Sequence, residues 1–153
     1  MKLYTIGFTK KNAQEFFETL RSANVRRVID VRLNNVSQLS GFAKRDDLAY
    51  FLKSICDIEY VHIPELAPTQ EILDKYKKEK GAWSEYAQAF DSLMAHRKSI
   101  QSLDPNLLDQ SCLLCSESLP ELCHRRLLAE ALQKRFADLQ VHHLVSAREG
   151  VNR

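Results

Sequence analysis

The chain has no apolar run that approaches the length of a membrane-spanning helix, so no membrane partner is expected. It has no marked excess of either charge: Lys plus Arg exceed Asp plus Glu by only 22 − 20 = 2. That balance argues against a protein that coats duplex nucleic acid. Internal repeats and low-complexity linkers are missing, and no nucleotide-cofactor motif stands out. Met1-Lys2-Leu3 leads directly into a strand-like run, so no signal peptide is expected. Four cysteines without a secretory signal then point to the reducing cytoplasm and to free thiols.

What is present fits one globular domain with a substantial core. The 153 residues divide into a single α/β domain over 1–146 and a frayed tail over 147–153. Lys2 to Ile6 reads as a strand that stops at Gly7, where the backbone must turn or approach something closely. Asn12 caps a helix with Ala13, Phe16, Phe17 and Leu20 on one stripe. Val28 to Arg32 forms a second strand whose apolar run suggests burial on both faces, as in a parallel sheet. Asp30 interrupts that run, and alternation points Asp30 and Arg32 to the same side.

The stretch 33–44 has no period and is long for a connection, which marks it as a candidate substrate loop. Leu48, Phe51, Leu52 and Ile55 define a further amphipathic helix, and Glu59 to Ile63 a third strand stopped by Pro64. Thr69 opens a short helix. Trp83, Tyr86, Ala87, Phe90, Leu93 and Met94 stripe a longer one, read as core packing. A strand at Cys112–Cys115, a helix ending at Phe136 and a strand over 140–145 complete the chain. Strand and helix alternate throughout, which predicts a three-layer Rossmann-like α/β fold with a mainly parallel sheet of about five strands. A switch point between the first and fourth strands would bring Gly7, Asp30 and Cys115 to one carboxyl edge.

Chemistry concentrates between Ser111 and Phe136, which hold three of the four cysteines, Glu117, His124, Arg125 and Arg126. Leu128, Ala129, Leu132 and Phe136 share one helix face, and Arg125 falls on that same face. A buried guanidinium keeps its charge, so an acidic partner is expected, with Asp30 or Glu117 the candidates. Ser118-Leu119-Pro120-Glu121 reads as a capping box that would place Cys123 inside the second turn. A loop running to about Leu122 would instead put Cys123 and His124 at the helix mouth, the preferred reading.

The residues allow several chemistries. Cys112 and Cys115, three apart on a strand, point to opposite faces, so Cys112 is assigned to the core and Cys115 to the site. The step from Cys115 to Arg125 is ten residues, too long for a cysteine-phosphatase loop. Asp30 and Glu117 are the candidate general acid and base, and Cys115 and Cys123 the candidate thiols. Gly7, Arg32, His62, His124 and Arg125 are assigned to substrate binding. A mononuclear metal on Cys115, Cys123 or His124 with His62 is the less favoured alternative, and no cofactor is assigned. The basic clusters at Arg26-Arg27 and Lys75–Lys78 read as solvated helix faces and ends.

Thr5-Ile6-Gly7, Asp30-Val31-Arg32, Tyr60–Pro64 and, above all, Cys115-Ser116-Glu117 followed by Pro120-Glu121-Leu122-Cys123-His124-Arg125 resemble the family called domain of unknown function 488. The resemblance extends in order over essentially the whole chain and implies a Rossmann-like fold and a site, not a reaction. Phe8-Thr9 stands where the family usually has His-Ser, Asn35-Val36-Ser37 where it tends to have proline, and Ala67-Pro68 where two glycines are common. The first and last of these remove polar or flexible elements at the site edge. Residues and resemblance together suggest a small enzyme acting on an anionic nucleotide or nucleobase-type molecule by carboxylate and thiol chemistry. The alternative is a non-catalytic phosphate or nucleic-acid binding module, or a metal-binding protein. Nothing in the sequence sets an oligomeric state.

Overall fold

A computed structural model describes residues 1–36, 41–117 and 119–145. The expected tail, Ser37 and the Ser118 end of the proposed capping box lie outside the described residues. The elements run β1 (Lys2–Gly7), α1 (Ala13–Ser22), β2 (Arg27–Asp30), α2 (Arg45–Phe51), β3 (Glu59–His62) and α3 (Gln70–Lys77). They continue with α4 (Trp83–Arg97), α5 (Ser99–Ser102), β4 (Ser111–Cys115), α6 (His124–Arg135) and β5 (Gln140–Leu144). The five strands are all parallel, in the order β3-β2-β4-β1-β5. Helices cover both faces, giving the three-layer Rossmann-like α/β fold expected from the alternation. Among the described residues no helix is long and apolar enough to cross a membrane.

Strand alternation divides the core in two. Leu3, Ile29, Leu113 and Cys115 face α4 and α6, where Phe90, Leu128 and Leu132 meet them. Tyr4, Ile6, Val28, Cys112 and Leu114 face the other way, against Phe16, Leu20, Leu48 and Leu52. Cys112 and Cys115 thus point to opposite faces, as residues three apart on a strand must.

Helix starts follow their caps. Asn12 accepts from the Glu15 N–H and Thr69 from the Ile72 N–H, each satisfying an otherwise orphaned donor. Cys123 has an extended backbone and occupies the N-cap of α6, so the loop continues past Leu122. Several boundaries differ from the sequence reading, three of them with a local cause. β2 stops at Asp30 and not at Arg32, because the Asp30 carboxylate takes the Arg32 N–H that a further ladder bond would need. β3 stops at His62, before the 3₁₀ turn that Pro64 opens. After α2 the chain widens into a π-helical turn over Leu52–Cys56, which breaks the helical period and leaves Ile55 46% exposed.

β1 and β4 are neighbours, with Gly7 opposite Cys115. From β1 the chain leaves toward α1 on one face, and from β4 toward α6 on the other. Their carboxyl ends therefore splay apart, the arrangement that opens a crevice in parallel sheets.

Candidate functional site

Gly7 ends β1 where three parts of the chain converge. A β-carbon there would lie 1.6 Å from the Glu117 carbonyl oxygen and 2.9 Å from Arg125 Nη1. Only a hydrogen fits. Thr9, two residues on, ties the same place together, its N–H and hydroxyl both donating to the Ser116 carbonyl.

Arg125 is fully buried on α6, as its place on the apolar stripe predicted. Its partners differ from expectation: Nε donates to Thr5 Oγ1 at 3.1 Å, and Nη1 donates to the Glu117 backbone carbonyl. Among the described residues, the two expected carboxylates are bonded to other cations. Asp30 accepts from Arg32 Nε and Nη2 at 2.8 Å each, and from Tyr60 Oη. Glu117 Oε1 accepts from Lys77 Nζ at 2.6 Å across a half-exposed pair. Lys77 is therefore not the purely solvated charge read from its basic run. Burial opposes its charge, but Glu117 outweighs burial and raises its pKa.

Asp30 and Arg32 form a sealed bidentate pair, 0% and 2% exposed. Burial raises the Asp30 pKa, yet the bonds from Arg32 and Tyr60 outweigh it and hold the carboxyl below its ordinary value. Asp30 lies two residues from Val28 and so faces α1 and α2, away from Cys115. It holds Arg32 in place and does not line the cavity. The sequence expected Asp30 to act there as acid or base; in the structure its carboxylate is engaged with Arg32 and Tyr60. Among the described residues, the buried Arg32 Nη1 has no hydrogen-bond partner. The guanidinium lies 5.4 Å from the Phe8 ring centroid.

The cavity at this edge holds about 210 Å³. Of the nine residues proposed from the sequence, Arg32, Cys115, Glu117, Cys123 and His124 line it. Gly7, Asp30 and Arg125 stand behind that lining. His62 is elsewhere, its Nε2 3.0 Å from the Arg32 carbonyl oxygen, where it supports the backbone of Arg32. The sequence missed the aromatic wall of Tyr76 and Tyr86, whose rings lie 4.8 Å apart, and the apolar rim at Leu73 and Leu122. Leu122, which the structure leaves exposed just before the mouth of α6, carries no sequence sign of that exposure.

Cys115, Cys123 and His124 form the reactive corner. Their ligand-capable atoms all lie within 4.8 Å of one another, and each residue is buried. His124 Nδ1 is 3.9 Å from Cys115 Sγ, and its Nε2 is 2.7 Å from the Val31 carbonyl oxygen. A hydrogen bond from Cys123 lowers the Cys115 pKa most, against burial, with His124 and Arg125 adding to it. Its thiol is held well below the ordinary range. Burial and the Cys115 charge push Cys123 the other way. Burial works against charge on His124, but Cys115 and the Val31 carbonyl raise its pKa. All four cysteines are free, so Cys115 and Cys123 stand side by side as thiols.

The family described as Domain of unknown function DUF488 matches residues 12–132. No curated protein and no solved structure matches the chain.

Proposed function

This chain belongs to the DUF488 family, and we propose that its cavity is the active site of a small enzyme for a compact, anionic, ring-bearing molecule of the nucleotide or nucleobase kind. One observation carries the reading: among the described residues, Arg32, in the wall of a cavity that also contains Cys115 and His124, keeps a buried Nη1 without a partner. A buried donor without an acceptor costs about 1–3 kcal/mol, which an acceptor oxygen on a substrate would recover. The Tyr76 and Tyr86 rings offer a face for a planar group. The volume, about 210 Å³, is smaller than most drug-sized sites and suits a single ring with a short substituent.

The chemistry belongs to the thiol corner and Glu117. A thiolate is the reactive form of cysteine toward electrophiles and toward metals alike. Glu117, half-exposed and paired with Lys77, stands where it can carry protons between the cavity and solvent. The alternative, a binding module for phosphate or nucleic acid, would use the same cavity without turnover.

The test is a thermal-shift panel of nucleotides, nucleobases and small anions, followed by chromatography of each hit for turnover. A ligand at 100 times its Kd adds about 2.7 kcal/mol, or roughly 5–10 °C at this size. Binding is expected from at least one ring-bearing anion, with loss in Tyr76→Ala. Binding without turnover would replace the enzyme by the binding module. Hits indifferent to Tyr76→Ala would remove the cavity from the account.

A further inference from the structure

We propose that Cys115, Cys123 and His124 are the protein ligands of a zinc ion whose fourth position opens on the cavity. The argument starts from the histidine. His124 Nε2 sits 2.7 Å from the Val31 carbonyl oxygen, an atom that can only accept. Nε2 therefore carries the hydrogen, and in the neutral ring the lone pair is on Nδ1, aimed at Cys115 Sγ 3.9 Å away. A metal-binding histidine has this arrangement, one nitrogen donating to a backbone carbonyl while the other faces the ion.

The distances are close to those required. Tetrahedral zinc, with bonds of about 2.3 Å to sulfur and 2.0–2.1 Å to nitrogen, sets S···S near 3.8 Å and S···N near 3.5 Å. The three ligand atoms here lie within 4.8 Å of one another, so side-chain shifts of about one ångström or less close the set. The mounts are firm: Cys115 ends β4, Cys123 is the N-cap of α6 and His124 is its first residue. Two thiolates cancel a divalent charge, so a buried neutral centre results, which isolated thiolates there would not give. Softness favours a borderline ion such as zinc over magnesium or calcium.

Three protein ligands, and not four, distinguish catalytic zinc sites from structural ones. The remaining direction meets the cavity, where Ser116 and Glu117 stand on the loop after β4. Binding releases the thiol protons to solvent. A water in the fourth position would be acidified by the ion, and Glu117 is placed to take its proton. This last step rests on the reading of the cavity as an active site; zinc binding itself does not.

Protein purified without chelators should contain one zinc per chain by elemental analysis. Chelated protein titrated with cobalt should develop sulfur-to-cobalt charge-transfer absorption and the intense visible bands of a tetrahedral ion. Cys123→Ser should weaken binding by more than the roughly 10–100-fold that outer partners contribute, whereas Cys56→Ser should bind as wild type. Should Cys123→Ser not fold, wild-type protein still decides the matter: zinc must protect Cys115 and Cys123, but not Cys56, from alkylation mapped by mass spectrometry. Absence of the cobalt–thiolate band, or equal labelling with and without zinc, overturns the site. Running the ligand panel on chelated protein separates the two claims. Ligand hits with no metal binding remove zinc alone, and metal binding with no hits removes the substrate reading alone.

Discussion

The α-carbon of Gly7 lies against the Glu117 carbonyl so closely that a β-carbon on Gly7 would fall 1.6 Å from that oxygen. The obstacle is backbone, which cannot rotate aside. Gly7→Ala should therefore destabilise by at least the about 1–3 kcal/mol of an overpacked core. Urea unfolding measures this, and a change under about 0.5 kcal/mol would show that the two loops can part at no cost.

Asp30 and Arg32 are buried together and joined by two hydrogen bonds. Asp30→Asn should cost about 3–5 kcal/mol, because it leaves a guanidinium charge without its counter-ion. Chemical denaturation of the variant provides the number. The same substitution should also weaken any cavity ligand, since Arg32 loses the bonds that fix its orientation.

The pair has a pH signature. Its folded carboxyl pKa is depressed, so the stabilisation is complete above the ordinary aspartate pKa of about 3.9 and is lost as pH falls through the folded value. Wild-type and Asp30→Asn stabilities should run parallel from neutral pH down to about pH 5 and converge in stronger acid. Parallel curves throughout the acid range would mean that folding leaves the Asp30 pKa unchanged, so that Arg32 does not hold it down.

Glu117→Gln removes a half-exposed partner of Lys77, so the stability change should stay below about 1 kcal/mol. Turnover of a panel hit should fall by about 10²–10⁴-fold, the usual contribution of a positioned acid or base. A variant with unchanged turnover would leave Glu117 as a surface ion pair only.

The layout of the fold was legible because it depends on period and caps. Leu113 and Leu114 face opposite cores by alternation alone, and Asn12 and Thr69 announce their helices chemically. Arg125 was recognisable as buried from its register on α6, yet its acceptors were not, because a backbone carbonyl such as that of Glu117 has no sequence signature. The surroundings of Asp30 were hidden for a related reason. Its place at a strand end is shared with Cys115, but which face it takes depends on register, and here it faces the α1 side. The approach of Cys115, Cys123 and His124 combined a strand end with a helix mouth nine residues on. Their spacing matches no familiar ligand motif, so only the folded loop reveals the cluster.

The account depends most on Cys115 opening into the cavity while Cys112, on the same strand, is sealed in the opposite core. Burial drives the Cys112 pKa up, whereas the hydrogen bond from Cys123 holds that of Cys115 below its ordinary value. Brief labelling of native, chelated protein with iodoacetamide, quantified by peptide mass spectrometry, compares the two directly. Cys115 should react at least about tenfold faster than Cys112, and a panel ligand should slow Cys115 alone. Equal rates at both cysteines, or a Cys115 that labels only on unfolding, would contradict the cavity as a working site.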